Sequence, residues 1–244
     1  MAFRDLREAP LRYIVTRCRL VGQLTGLVST SQQWTRATRS WDELVAYVFE
    51  AADGFLKPLQ IRAEIARAMA VVEKVKPRFL LEIGTARGGT FFLFSRAAAQ
   101  DALLVSLDLP AGRWGGGYSN WKTRIFRRML LPGQKADFVR ANSHDPTSLA
   151  RVREILGGNL LDVLYIDGDH SYEGVKTDYE MYSSLVRPGG LIVFHDVALH
   201  DVKHDCHVDQ LWSDLKLRFP SSEIVQDPKQ GWAGIGILQN SAIS

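Results

Sequence analysis

Two short runs in the second half of the chain gather the groups able to move protons or hold a cation. Asp167, Asp169 and His170 follow one apolar run, Leu161 to Ile166, and His195 and Asp196 follow another, Leu191 to Phe194. Together they supply two imidazoles and three carboxylates, a mixture suited to base catalysis or to a divalent cation. A general base needs a pKa near the working pH and reach to the proton it removes. His170 meets the first condition by its type, and His195 is the rival for the role. Each residue also has a plainer reading: Asp167 bonding an amino group of a ligand, Asp169 capping the next helix, and the histidines bonding backbone.

A second set of residues points to a cofactor. Glu82-Ile83-Gly84-Thr85-Ala86-Arg87-Gly88-Gly89-Thr90 leaves an apolar run and enters a helical one. Glycines there let the backbone turn sharply and let a ligand approach closely. The spacing is not that of the dinucleotide fingerprint, so a pyrophosphate is disfavoured, and Glu82 would attract a cation. Asp108 closes Val105-Ser106-Leu107 some twenty residues on, where an acidic side chain accepts the ribose hydroxyls of an adenosine. Asn142 and Ser143 follow a third apolar run and could meet an adenine edge, although both are also ordinary turn residues.

Something must hold these groups together. Strands are predicted at Phe79–Ile83, Ala102–Leu107, Ala136–Arg140, Leu161–Ile166 and Leu191–Phe194, with a closing antiparallel pair at Glu223–Gln226 and Gly234–Leu238. Helices are predicted between them at Gly89–Ala99, Pro146–Leu156, Glu173–Leu185 and Val208–Phe219. Ahead of the first strand, Leu11, Ile14, Val15 and Cys18 share a helical face, continued by Leu20, Leu24 and Val28. Ser40 with Glu43 reads as a capping box for a helix over Trp41–Phe55, and a further helix is expected over Gln60–Lys74. Alternating strands and helices call for an α/β fold with a mostly parallel, doubly wound sheet, whose ligand crevice lies at the carboxyl ends of the strands. The segment Asp108–Gln134, with Gly115-Gly116-Gly117 and several arginines, is long for a connection and suggests a lid or an interface.

Glu82-Ile83-Gly84-Thr85, Asp108, Tyr165-Ile166-Asp167-Gly168-Asp169-His170 and Arg187-Pro188-Gly189-Gly190 resemble the class I S-adenosylmethionine-dependent methyltransferases, in order over about Gln60 to Leu238. The run Asp167 to Val175, with Phe194-His195-Asp196-Val197, is most similar to a bacterial O-methyltransferase subfamily, some of whose members act on sugars and natural products. The resemblance implies a Rossmann-like seven-stranded sheet with an antiparallel last strand, preceded by N-terminal helices. It divides the chain into a helical extension, residues 1–58, serving as a lid or dimer interface, and a methyltransferase domain, residues 59–244. It places Glu82, Gly84, Thr85, Ala86, Gly88 and Gly89 around the methionine part of S-adenosylmethionine and Asp108 on the ribose. Asn142, Ser143, Asp167 and Asp169 complete the cofactor set.

The expected reaction is methyl transfer to a hydroxyl oxygen of a small molecule, with His170 and His195 as the catalytic candidates. Metal-dependent relatives carry an Asp, a basic residue three positions later and an Asp-Asn pair where this chain has Asp167, His170 and His195-Asp196. Two alternatives therefore stay open: Mg2+ or another divalent cation on Asp167, His195 and Asp196, or His195 as the base.

Composition sets the exclusions. A formal net charge of +3 in 244 residues is too weak to argue for nucleic acid. A nucleic-acid methyltransferase is the runner-up, kept by the basic segments and opposed by Asp167-Gly168-Asp169-His170, which lacks the prolines that accompany methylation of base amino groups. A non-catalytic cofactor-binding scaffold is a further rival, opposed by the polar residues at both strand ends. Two cysteines make no disulfide framework, and Arg12, Arg17 and Arg19 break the apolar stretch Leu11–Val28, so neither a membrane span nor a secretory signal is expected and a cytoplasmic setting is. The cluster His195, His200, His204 and His207, with Cys206 among aspartates, lacks a standard zinc-finger spacing and reads as a polar loop.

Overall fold

The computed structural model describes residues 22–112, 117–201 and 205–241. The helical face at Leu11, Ile14, Val15 and Cys18, together with Leu20, Gly115, Gly116 and His204, lies outside the described residues.

The apolar runs form strands β1 (Phe79–Ile83), β2 (Leu103–Leu107), β3 (Lys135–Val139), β4 (Leu161–Ile166), β5 (Val186–His195), β6 (Ser221–Ile224) and β7 (Ile235–Gln239). They make one sheet in the order β3-β2-β1-β4-β5-β7-β6. The first five strands are parallel, and β7 runs antiparallel to both β5 and β6. This is the Rossmann-like arrangement with a reversed last strand. Strand order reverses between β1 and β4, the position where such sheets open a crevice.

Successive strand residues face opposite sides, and each side has its own core. Leu80, Leu104, Val163, Tyr165, Leu191 and Val193 pack with a helix over residues 22–31 (α1) and with α2 (Trp41–Gly54), α3 (Arg62–Val75), α4 (Gly89–Ala97) and α5 (Asn120–Met129). Leu81, Ile83, Val105, Leu164, Ile166, Ile192 and Phe194 pack with α6 (Pro146–Leu156), α7 (Tyr172–Tyr182) and α8 (Val208–Leu215). The sheet is therefore covered on both faces, as its near-continuous apolar strands require.

Local chemistry sets the helix ends. The Ser40 hydroxyl accepts from the Glu43 N–H, and the Glu43 carboxylate accepts from the Ser40 N–H, closing the capping box. α2 is kinked rather than continuous, with Ala52 and Asp53 at positive φ. α7 ends earlier than expected and tightens into a 3-10 turn over Ser183–Leu185. β5 starts earlier: Leu161 pairs with Val186 and Val163 with Leu191, so residues 187–190, with Pro188-Gly189-Gly190, bulge out of the strand. The long connection after β2 contains α5, whose Thr123, Phe126 and Met129 are buried while Arg124, Arg127 and Arg128 face out. No helix among the described residues is long and apolar enough to cross a membrane.

The N-terminal helices are fastened to the site's own helix. Arg96 of α4 is buried, donates to the carbonyls of Ser31 and Trp34 at 2.7 Å each, and lies over the Phe92 ring. Leu44, Val48 and Leu56 are wholly buried in the same core cluster as Leu80, Phe92 and Tyr165. Leu44→Ala should then lower the stability of the whole chain by about 2–5 kcal/mol, as an interior cavity does. In urea, a single cooperative transition should move to lower concentration; a separate early transition with an unmoved main one would show that these helices fold apart from the sheet.

Candidate active site

The carboxyl ends of β1, β2, β3 and β4 enclose a cleft of about 240 Å³. Hydrogen bonds continue past the strands and zip these ends together. Gly84 N–H donates to Leu107, Asp108 N–H to Val139, and Asp167 N–H to Ile83. The chains approach so closely that a Cβ on Gly84 would stand 1.9 Å from the Asp167 carbonyl oxygen, and Gly84 has φ +88°. Only glycine meets both demands.

Of the residues expected to hold a cofactor, Gly84, Ala86, Asp108, Asn142, Ser143, Asp167 and Asp169 line the cleft. Glu82, Thr85, Gly88 and Gly89 do not. Gly88 and Gly89 are packing positions: a Cβ on the first would strike the Phe126 ring, and on the second the Leu56 carbonyl. Thr85 and Glu82 lie behind the turn in a buried relay. The Thr85 hydroxyl donates to Glu82 at 2.6 Å and meets Ser106 at 2.7 Å, and Ser106 meets the Tyr118 hydroxyl at 2.8 Å. The second Glu82 oxygen has no partner. Burial is the main reason that Glu82 is pushed up to about 8, against the hydrogen bonds from Thr85 and Thr90. Asp108 accepts from the Ala86 N–H at 2.6 Å, and burial raises it to about 6.

Of the residues expected to move protons or hold a cation, Asp167 and Asp169 line the cleft, while His170, His195 and Asp196 lie beside it. His195 is buried, its Nδ1 3.1 Å from Asp167 and 3.3 Å from Asp196, and its Nε2 is buried without a partner. His170 Nδ1 lies 2.9 Å from the same Asp196 oxygen, and its Nε2 lies 3.6 Å from Asp167. His200 Nε2 binds the other Asp196 oxygen at 3.1 Å, as does the Ala233 N–H. Asp196 has φ +64°, a left-handed conformation that Asp tolerates better than most residues. Burial lowers each imidazole's pKa, but the carboxylates outweigh it: His170 and His200 rise to about 10, and His195 rises well above its ordinary value. Burial disfavours the Asp196 charge, yet the His195 charge and the three imidazole bonds hold its pKa well below the usual range. Asp169 instead accepts from the Ser171 N–H at 2.9 Å, and Ser171 rather than Asp169 caps α7.

Sequence reading missed two contributors. Gln60, ahead of α3, donates to the Tyr165 hydroxyl at 2.5 Å and to Asp167 at 3.2 Å. His144 lines the cleft with its Nε2 3.4 Å from Asp178, a wholly buried carboxylate of α7. Neither spacing carries a signal in the chain, since both pairings join elements far apart in sequence.

Residues 81–197 match a family described as a methyltransferase domain. Those residues hold the glycine turn, Asp108, Asp167 and His195-Asp196, and over them the chain is similar to a methyltransferase domain. An O-methyltransferase from Bacillus cereus, solved with SAH, is 17% identical with a TM-score of 0.56; the alignment covers 88% of this chain and 97% of that one. The O-methyltransferase TomG from Streptomyces achromogenes, involved in tomaymycin synthesis and solved with SAM, is 16% identical with a TM-score of 0.55, covering 84% and 91%. At such identity the likeness speaks for the fold. Among curated proteins, the uncharacterized protein y4gI of Sinorhizobium fredii (strain NBRC 101917 / NGR234) is 27% identical over 63% of this chain, which spans only 16% of that relative's length.

The buried Glu82 makes the protein's stability depend on pH. A carboxyl raised in the folded state stabilises fully below its unfolded pKa, and that contribution is lost as pH climbs to the folded value of about 8. Glu82→Gln should therefore flatten the decline in unfolding free energy between pH 5 and 8, in the absence of cofactor, as measured by urea titration (roughly the window between the two pKa values). An unchanged slope would mean that Glu82 ionises freely in place.

Proposed function

We propose that this chain transfers the methyl group of S-adenosylmethionine to a hydroxyl oxygen of a small molecule, of the sugar or natural-product kind. The observation that carries the catalytic half is the His195 ring, held through Nδ1 by Asp167 and Asp196 with its buried Nε2 unpartnered. An imidazole fixed by a carboxylate on one nitrogen and open on the other is arranged to take a proton. The cofactor half rests on the cleft, in which Asp108 offers a carboxylate for ribose hydroxyls and Asn142 and Ser143 offer polar contacts for adenine.

S-adenosylmethionine supplies a methyl group on a cationic sulfur, which an acceptor oxygen displaces in line. His195 Nε2 receives the hydroxyl proton in this reading, and Asp167 and Asp196 stabilise the imidazolium that results. His170 is less suited to the role, because both of its ring nitrogens lie near carboxylates, Nδ1 2.9 Å from Asp196 and Nε2 3.6 Å from Asp167. Gln60 anchors Asp167, and Leu56 lies against Gly89, which favours a lid role for the segment joining the N-terminal helices to the domain. A second reading has a divalent cation on Asp167, His195 and Asp196, whose donor atoms lie within 4.8 Å of one another. One imidazole with two carboxylates suits manganese, iron or zinc better than magnesium, and His195 would then be a ligand.

Calorimetry should show binding of S-adenosylhomocysteine, weakened by about 1–3 kcal/mol in Asp108→Ala through loss of a charged acceptor. Binding of NAD in its place would end the reading.

With a competent acceptor, His195→Ala should lower turnover by about 10²–10⁴ and leave S-adenosylhomocysteine affinity nearly intact. Wild-type turnover should climb toward alkaline pH, because His195 must shed the proton that its carboxylates hold. Loss of turnover in His170→Ala alone would transfer the role to His170.

A further inference from the structure

Asp196 belongs to a second convergent set, with His170 and Cys206, whose donor atoms also lie within 4.8 Å of one another. The three come from different elements: His170 precedes α7, Asp196 follows β5, and Cys206 precedes α8. A backbone bond of 2.8 Å from the His207 N–H to the His170 carbonyl ties the first segment to the third. Asp196 and Cys206 are buried, and the His170 side chain is 19% exposed, which leaves the cluster a narrow opening to solvent. None of the three lines the cofactor cleft.

Sulfur distinguishes this set from the one at Asp167 and His195. A thiolate beside an imidazole and a carboxylate is a borderline-soft donor group, which selects zinc, cobalt(II) or iron(II) over magnesium and calcium. Nitrogen and oxygen ligands of a tetrahedral zinc stand roughly 3.4 Å apart, so the 2.9 Å between His170 Nδ1 and Asp196 Oδ2 needs to open by only a few tenths of an ångström. His200 bonds the other Asp196 oxygen and would orient the carboxylate from outside, as partners of metal ligands do.

We propose that His170, Asp196 and Cys206 form a binding site for a transition metal ion of the zinc type, beside the methyltransferase cleft and separate from it. Three protein ligands leave one position open, the arrangement of zinc sites that bind a further molecule. The imidazole binds neutral and the thiol binds as thiolate, so uptake of the ion releases protons to solvent. The polar stretch between β5 and α8 then has a task that its spacing alone does not announce. The site shares Asp196 with the proposed base His195, but ion binding there does not require that methyl transfer take place.

Cobalt(II) supplies the test, because a cobalt–thiolate bond gives a near-ultraviolet charge-transfer band that nitrogen and oxygen ligands do not. The full chain, stripped with chelator and titrated with cobalt(II), should take up one equivalent with that band. Cys206→Ser should lose it, whereas Cys18→Ser, at the chain's other cysteine, should keep it. Retained S-adenosylhomocysteine binding checks that Cys206→Ser is folded. His170→Ala, with the thiol in place, should weaken cobalt binding at least about tenfold. Cobalt uptake without the sulfur band would assign the ion to Asp167, His195 and Asp196 and overturn the proposal. So would loss of the band in Cys18→Ser alone, unchanged cobalt affinity in His170→Ala, or no uptake at all. A failure of methyl transfer would appear separately, in cofactor binding and turnover.

Discussion

A carboxylate shut away from water must be surrounded by donors, and Asp196 is the point at which this chain meets that demand. Its two oxygens receive His170, His195, His200 and the Ala233 N–H. Those partners arrive from the start of α7, the end of β5, the loop beyond it and the approach to β7. One buried charge thus draws four separate stretches of chain to the same place. An uncompensated buried charge costs several kcal/mol, so losing one partner strains the others. The left-handed backbone at Asp196 is the local cost of aiming both oxygens inward.

The cleft side of the molecule obeys a different constraint, that of close approach. Gly84, against the Asp167 carbonyl, lets β1 and β4 part by no more than a ligand-sized crevice needs. Behind it, Glu82, Thr85, Ser106 and Tyr118 form a polar relay that fixes the turn without entering the cleft. Asp108 is held on the Ala86 N–H, so its position is set before any ligand arrives. Such pre-set groups reduce what binding must spend on ordering.

The N-terminal helices join these two regions. They share the core of the α3–α4 face, Arg96 stitches them to the helix that leaves the glycine turn, and Gln60, between α2 and α3, reaches Asp167. A change of packing in α1 or α2 therefore has a short physical path to the groups beside the cleft.

Much of this was legible in the chain itself. The glycine turn, Asp108 and the short apolar runs declare the sheet, because strand burial on both faces forces unbroken apolar sequence and the turn forces glycine. Ser40 with Glu43 declares a helix start, because both partners of the box are three residues apart. Local signals also have limits. The bulge at residues 187–190 and the kink in α2 follow from pairing and packing with distant segments, to which a local pattern is blind. The same holds for the site. Sequence alone could name Asp167, His170, His195 and Asp196 as a set, since strand ends converge in any such sheet. Only the tertiary structure decided which imidazole faces which oxygen, that Gln60 and His144 belong, and that Cys206 lies with His170 and Asp196. The pairings of Gln60, His144 and Cys206 join residues 10 to more than 100 positions apart, and all are choices of direction and distance. They are made by packing and by the need to satisfy buried charge, not by spacing along the chain.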